Sequence, residues 1–187
     1  TNTATTSTNI PMFCYFQNSY SQSIYPAANL EPGQITSISY YHTASAYDNG
    51  IVKIYMKEVT DATLTNYLPG TDFVQVFEGP INLVNGVVTY LFTAPFEYTG
   101  EGNLLVAVIR DGTHYQADHT FRMAQGIGSS VYQKSDTQEY NINTPPSPDA
   151  TASFVPVTKF DMIPIGAEFC YPPINLAVSE QTTDGAT

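Results

Sequence analysis

Between Gln34 and Arg110, short runs of Val, Ile, Tyr, Phe and Thr alternate with tight-turn residues. Five runs predict strands over 34–42, 51–58, 73–77, 87–92 and 104–110. In the second run Val52, Ile54 and Met56 alternate with Lys53, Tyr55 and Lys57, the pattern of a half-buried strand with cations and an aromatic outside. The fifth, Leu104 to Ile109, is apolar at every position. One sheet face packs on its partner sheet, so the outer face of this strand needs a cover. A packed loop, with the Pro-containing stretch 144–149 available, or a partner surface would supply it. Asp48-Asn49-Gly50 and Asn85-Gly86 predict hairpin turns, because Asn-Gly adopts positive φ at low cost. Regularly spaced, locally joined strands make an antiparallel sandwich or barrel.

Outside this stretch, Ile10 to Phe16 reads as a first strand and Tyr20 to Tyr25 as a second. Pro26 to Leu30 and Thr60 to Tyr67 read as short helical turns. Phe121 to Met123 and Ser130 to Lys134 predict two further short strands. Phe154 to Ile165 predicts a last β segment, interrupted by Pro156 and Pro164. Residues 1–9 form a polar lead-in, and residues 10–170 the sandwich. In the tail, 171–187, Pro172-Pro173 makes a stiff connector and Ile174 to Val178 alternates like the first strand of an immunoglobulin or fibronectin type III-like module.

Charged residues make up only 12% of the chain, about half the usual ~25%. The polar surface therefore falls to Thr, Ser, Asn, Gln and Tyr. A net charge of −11 disfavours nucleic acid, whose binding needs cations to displace phosphate counterions. No apolar run approaches the ~20 residues that span a bilayer, so no membrane insertion is expected. The acidic excess serves solubility or gathers carboxylates around Ca²⁺. Cys14 and Cys170 lie near opposite ends, where first and last strands often meet. A disulfide and two buried free thiols are both open readings.

The segments Tyr20–Tyr25, Gly33–Tyr41 and Val52–Met56, with Pro95-Phe96-Glu97-Tyr98 and Gly102–Val108, resemble β-sandwich modules of large secreted proteins from gut and oral Gram-negative anaerobes. Those modules are similar in style to the haemagglutinin/adhesin domains attached to gingipain-like proteases. The resemblance spans about 20–170 and rests on fold-setting positions. It implies an all-β, antiparallel two-sheet jelly-roll-like sandwich and an extracellular or bacterial cell-surface location. It also implies adhesion or binding, neighbouring domains in the same chain, and often structural Ca²⁺.

No nucleophile elbow or zinc-protease helix is present, and an enzyme is not expected. The densest cluster of site-type residues follows the most apolar strand: Asp111, His114, Tyr115, Asp118 and Arg122. A rigid strand presenting a polar loop is a common binding arrangement. Tyr115 can stack on a sugar ring while the others hydrogen-bond its hydroxyls. Tyr47, in the loop before Ile51, is a further candidate contact, and Tyr40, Tyr41 and Tyr55 are expected near it. The expected ligand is a glycan or host glycoprotein, and the alternative role is a structural spacer. His114 and His119 lack a third nearby ligand for zinc. For calcium, Asp161 on the last strand and Glu31, with Asn29, on an early loop are the candidate ligands.

Overall fold

The computed structural model describes residues 7–43, 49–84, 86–113 and 119–165. Its strands are β1 (Ser7–Thr8), β2 (Asn18–Tyr25), β3 (Gly33–Tyr41), β4 (Ile51–Val59), β5 (Val74–Pro80), β6 (Val87–Tyr98), β7 (Asn103–Asp111), β8 (Phe121–Ser135), β9 (Ala150–Pro156) and β10 (Thr158–Pro164). A seven-stranded sheet runs β1-β8-β2-β7-β4-β5, with β9 also paired to β8. A three-stranded sheet runs β10-β3-β6. All pairings are antiparallel. They nest: β4 with β5, β3 with β6, β2 with β7 and β1 with β8. That nesting defines a jelly-roll sandwich.

The alternation decides the layering. β7 is central in the large sheet because it is apolar on both sides, between β2 and β4. Leu104, Val106 and Val108 face the small sheet, where they meet Val52, Ile54 and Met56 of β4 and Ile35, Ile38, Tyr40, Tyr90 and Tyr98. Leu105, Ala107 and Ile109 face outward into a second cluster with Tyr20, Ile24, Leu64, Tyr67, Tyr140 and Ile142. Loops thus cover the outer face, as one of the two readings required. The cover is the β4–β5 loop and the start of the β8–β9 loop, ahead of the 144–149 stretch.

Several expectations are corrected. Ile10–Phe16 forms turns with no ladder, and Ile10, Pro11, Met12 and Cys14 are its buried residues. Pro11 offers no N–H, its carbonyl accepts from Ser21 Oγ (2.9 Å), and Phe13 N–H donates to Ser19 Oγ (3.0 Å). Asn49-Gly50 joins strands of different sheets and makes no hairpin, because β3 leaves the sheet that holds β4, whereas Val84 and Val87 bridge antiparallel across Asn85-Gly86, as a tight turn ahead of β6 requires. Positive φ is still needed there: Gly50 sits at 105° with the Asp111 carbonyl where a Cβ would be, and Gly86 at 76°. Tyr40 consequently lies in the inter-sheet core against Tyr90 and Phe121, away from Tyr55. Phe121–Met123 and Ser130–Lys134 are one long β8 with an irregularity between Gln125 and Ser130. Conversely, the 154–165 segment is two strands in two sheets, each closed by its proline. Pro26–Leu30 does hold a 3-10 turn, Ala27–Asn29, whereas Thr60–Tyr67 is irregular.

The β4–β5 loop is held to the sheet by one side chain above all. Gln22, fully buried, donates from Nε2 to the Tyr20 hydroxyl (2.7 Å) and the Leu68 carbonyl (3.0 Å). Its Oε1 accepts from the Leu68 N–H (2.8 Å). Tyr67 stacks on Tyr20 with ring centroids 4.4 Å apart and donates to the Tyr20 carbonyl (2.9 Å). Ser129 Oγ accepts from the Leu64 N–H (2.9 Å). A Gln22→Ala change removes the side-chain partner of both partly buried Leu68 backbone groups, each costing up to about 1–3 kcal/mol. The expected outcome is a loss of about 3 kcal/mol in urea unfolding; a loss below about 1 kcal/mol would contradict the clamp.

Candidate functional site

The loops that follow β3 and β7 rise from a shared base. Asn49 Oδ1 accepts from the Thr113 N–H (2.9 Å), and its Nδ2 donates to Thr113 Oγ1 (3.0 Å). Across from this clamp, the Thr43 N–H donates to the Thr120 carbonyl (2.9 Å) and the two threonine hydroxyls bond each other. Next to the Thr43–Thr120 pair in the chain, buried His42 and His119 stack with centroids 5.0 Å apart, each against Phe121. The two loops singled out from sequence are therefore neighbours at their bases. Tyr47, His114, Tyr115 and Asp118 lie outside the described residues. Asp111 and Arg122 are described and do not converge. Asp111 shares a sheet row with Asn18 and Ser135, nearly the whole length of β8 from Arg122, which pairs with Ser7 at the opposite end.

Asp111 instead turns toward the outer face of the large sheet. Its Oδ2 lies 3.2 Å from Lys53 Nζ, while Glu78 faces Lys53 across the β4–β5 pair. Burial pulls the Lys53 ammonium toward neutrality, but the bond to Asp111 and the charges of Asp111 and Glu78 outweigh it and raise its pKa. Beside this pair the two covering loops leave a groove of about 360 Å³, within the range of ligand pockets. Lys53, Tyr55, Gln75 and Ile109 of the sheet line it, with Gly70 and Phe73 on one loop and Tyr140–Asn143 on the other. At Gly70 the loops meet backbone to backbone, with the Ile142 carbonyl and Asn143 Cα where a Cβ would stand. Lys57 braces the first loop, donating to the Thr71 carbonyl (2.9 Å) with its Nζ 5.6 Å from the Phe73 ring centroid. Asn141 Oδ1 shapes the second by accepting from the Asn143 N–H (2.8 Å). Burial raises the Tyr55 hydroxyl's pKa against the pull of Lys53, and burial with the Asp149 charge pushes Tyr140 up to about 12. The groove can offer aromatic surface together with the paired Lys53 ammonium and neutral donors and acceptors.

The outward orientation of Lys53 and Tyr55 follows from the alternation in β4. Tyr140 and Ile142 fall in a segment whose sequence reads as irregular. The apolar pair at i and i+2 in a polar loop was the available signal that this loop turns back onto the protein.

The calcium candidates are not brought together. Asp161 Oδ1 lies 2.6 Å from Lys159 Nζ, and Oδ2 accepts from Ser37 Oγ (2.7 Å). These bonds hold the carboxyl below its usual pKa, led by that to Lys159. Asp161 pairs with Ser37 and Pro164 with Gly33, so Gly33 is about 13 Å along β3 at ~3.3 Å per residue, with Glu31 beyond it. Asn29 lines a separate apolar groove with Leu30, Ile127 and Phe160. Among the described residues no three His, Cys, Asp or Glu side chains are grouped to hold a metal. Cys14 is a buried free thiol, and its sequence-proposed partner, Cys170, lies outside the described residues.

Compared with protein-family models, curated proteins and solved structures, the chain matches none.

Burial pushes the Cys14 thiol up to about 12, against the lowering influence of Arg110, so almost no thiolate forms near pH 8. In a Cys170→Ser variant, a disulfide-exchange reagent at pH 8 is expected to label Cys14 in denaturant and not in the native protein. Rapid native labelling would contradict this burial.

Proposed function

We propose that this chain is a non-catalytic binding module of an extracellular or cell-surface protein, recognising a glycan or the glycan of a glycoprotein in the groove between its two covering loops. The observation that carries this reading is the groove itself. It is a concave site on a rigid sheet, where Tyr55 and Phe73 supply rings beside Lys53, Gln75 and the Asn141–Asn143 turn. Sugars present apolar C–H faces that pack on aromatic rings, and hydroxyls that both donate and accept. The low proportion of charged residues and the resemblance to secreted adhesin-type modules support the extracellular setting.

The test is a glycan-array screen followed by titration of the best ligand against the protein and a Tyr55→Ala variant. Tyr55 is only half-buried at the groove, so the variant is expected to keep its melting temperature and lose at least about tenfold in affinity, ~1.4 kcal/mol. Absence of binding to every glycan at high protein concentration would leave the spacer role as the better account.

A further inference from the structure

The charges and a buried hydroxyl at the groove narrow the ligand class, on the reading that the groove is the glycan site. Lys53 is the cationic side chain among the described residues lining it. Its charge is answered by Asp111 at 3.2 Å and by Glu78 opposite it in register. Lys57 nearby is committed to the Thr71 carbonyl and the Phe73 ring. A uronate, sulfate or sialate group would therefore meet no uncompensated cation there, on a chain that carries −11 overall. A cationic ligand would face the Lys53 ammonium.

Among the described residues lining the groove, the buried Tyr140 Oη has no hydrogen-bond partner, and Tyr140 is 7% exposed. Unpaired buried polar groups are costly, and bound water or ligand ordinarily completes them. This hydroxyl is kept protonated by its raised pKa, able to donate as well as accept. It calls for a ligand hydroxyl and offers no counter-charge. We propose that the groove selects uncharged pyranose saccharides. Their hydroxyls bond Lys53 and the Tyr140 hydroxyl, and a carbon face packs against Tyr55.

Titration calorimetry tests this with neutral glucose-, mannose-, galactose- and xylose-based oligosaccharides beside oligogalacturonate, a sulfated glycosaminoglycan fragment and sialyl-lactose. The variants are Tyr55→Ala and Tyr140→Phe. A neutral oligosaccharide is expected to bind best. Tyr140→Phe should weaken it about five- to tenfold while leaving the melting temperature unchanged or higher, because the free protein loses an unsatisfied buried hydroxyl. A purely structural role for Tyr140 would not separate affinity from stability in that direction. Tighter binding of the acidic or sulfated probes would overturn the neutral-ligand inference and leave the glycan-binding reading standing. Absence of binding to every saccharide would overturn both. Neutral-sugar binding that both variants leave intact would place the site elsewhere and overturn the assignment to this groove.

Discussion

A central strand that is apolar on both faces governs this molecule. β7 can bury Leu104, Val106 and Val108 against the small sheet, but doing so exposes Leu105, Ala107 and Ile109 on the far side. Fully burying a large aliphatic side chain is worth about 1.5–3 kcal/mol, so an uncovered outer face would forfeit a large part of the net stability of a domain this size. The protein meets this constraint with two long loops in place of a third layer of regular structure. A loop laid over a sheet brings its own backbone N–H and C=O groups out of water, and each needs a partner. Gln22, Ser129 and the Tyr20–Tyr67 pair answer that need, which explains why a glutamine is fully buried in the middle of β2. Leu64 and Tyr67 supply apolar cover at points held by those polar anchors.

The architecture was legible in the chain where burial sets it. The two-sided pattern of 104–109 marks a central strand, and the one-sided pattern of β4 gives the correct inward and outward sets. The destinations of successive strands were not legible. Asn49-Gly50 calls for positive φ, which serves an arch between sheets as readily as a hairpin within one. What decides between them is the nested pairing of β2 with β7 and β3 with β6, and these contacts are far apart in sequence. The same distance hid the cover. Gln22 and Leu68, or Leu64 and Ser129, meet only when the fold is complete, and their bonds are polar and leave no hydrophobic period to read. The 10–16 segment shows the converse error, since its buried alternate residues mimic a strand while its backbone bonds go to serine side chains.

The candidate site was half visible for the same reasons. Lys53 and Tyr55 could be placed outside from alternation alone. Tyr140 could not, because the loop that carries it has no period, and its position depends on packing against Tyr20 at 6.2 Å. Of the loop cluster favoured from sequence only the base lies among the described residues, where Asn49 and Thr113 tie the β3–β4 and β7–β8 connections together. Asp111 belongs to both regions in sequence terms, but its carboxylate is spent on Lys53 beside the groove.

On the proposed reading, stability and recognition share parts. The loops that seal the outer face are also the walls of the groove, and they touch at Gly70 and Ile142, where neither has room to move inward. The groove is thus set by the clamp on the β4–β5 loop and by the docking of Tyr140 and Ile142, with little left to side-chain adjustment on binding. A site formed this way is preorganised, which lowers the ordering cost of association. It also couples the two properties. A ligand that contacts both walls binds the covered state and not an uncovered one, and so it stabilises the cover by mass action, by about 2.7 kcal/mol at a hundred times its Kd. The cover solves a problem posed by β7, and the groove is the gap left where two such loops meet over a sheet that still presents Lys53, Tyr55 and Gln75.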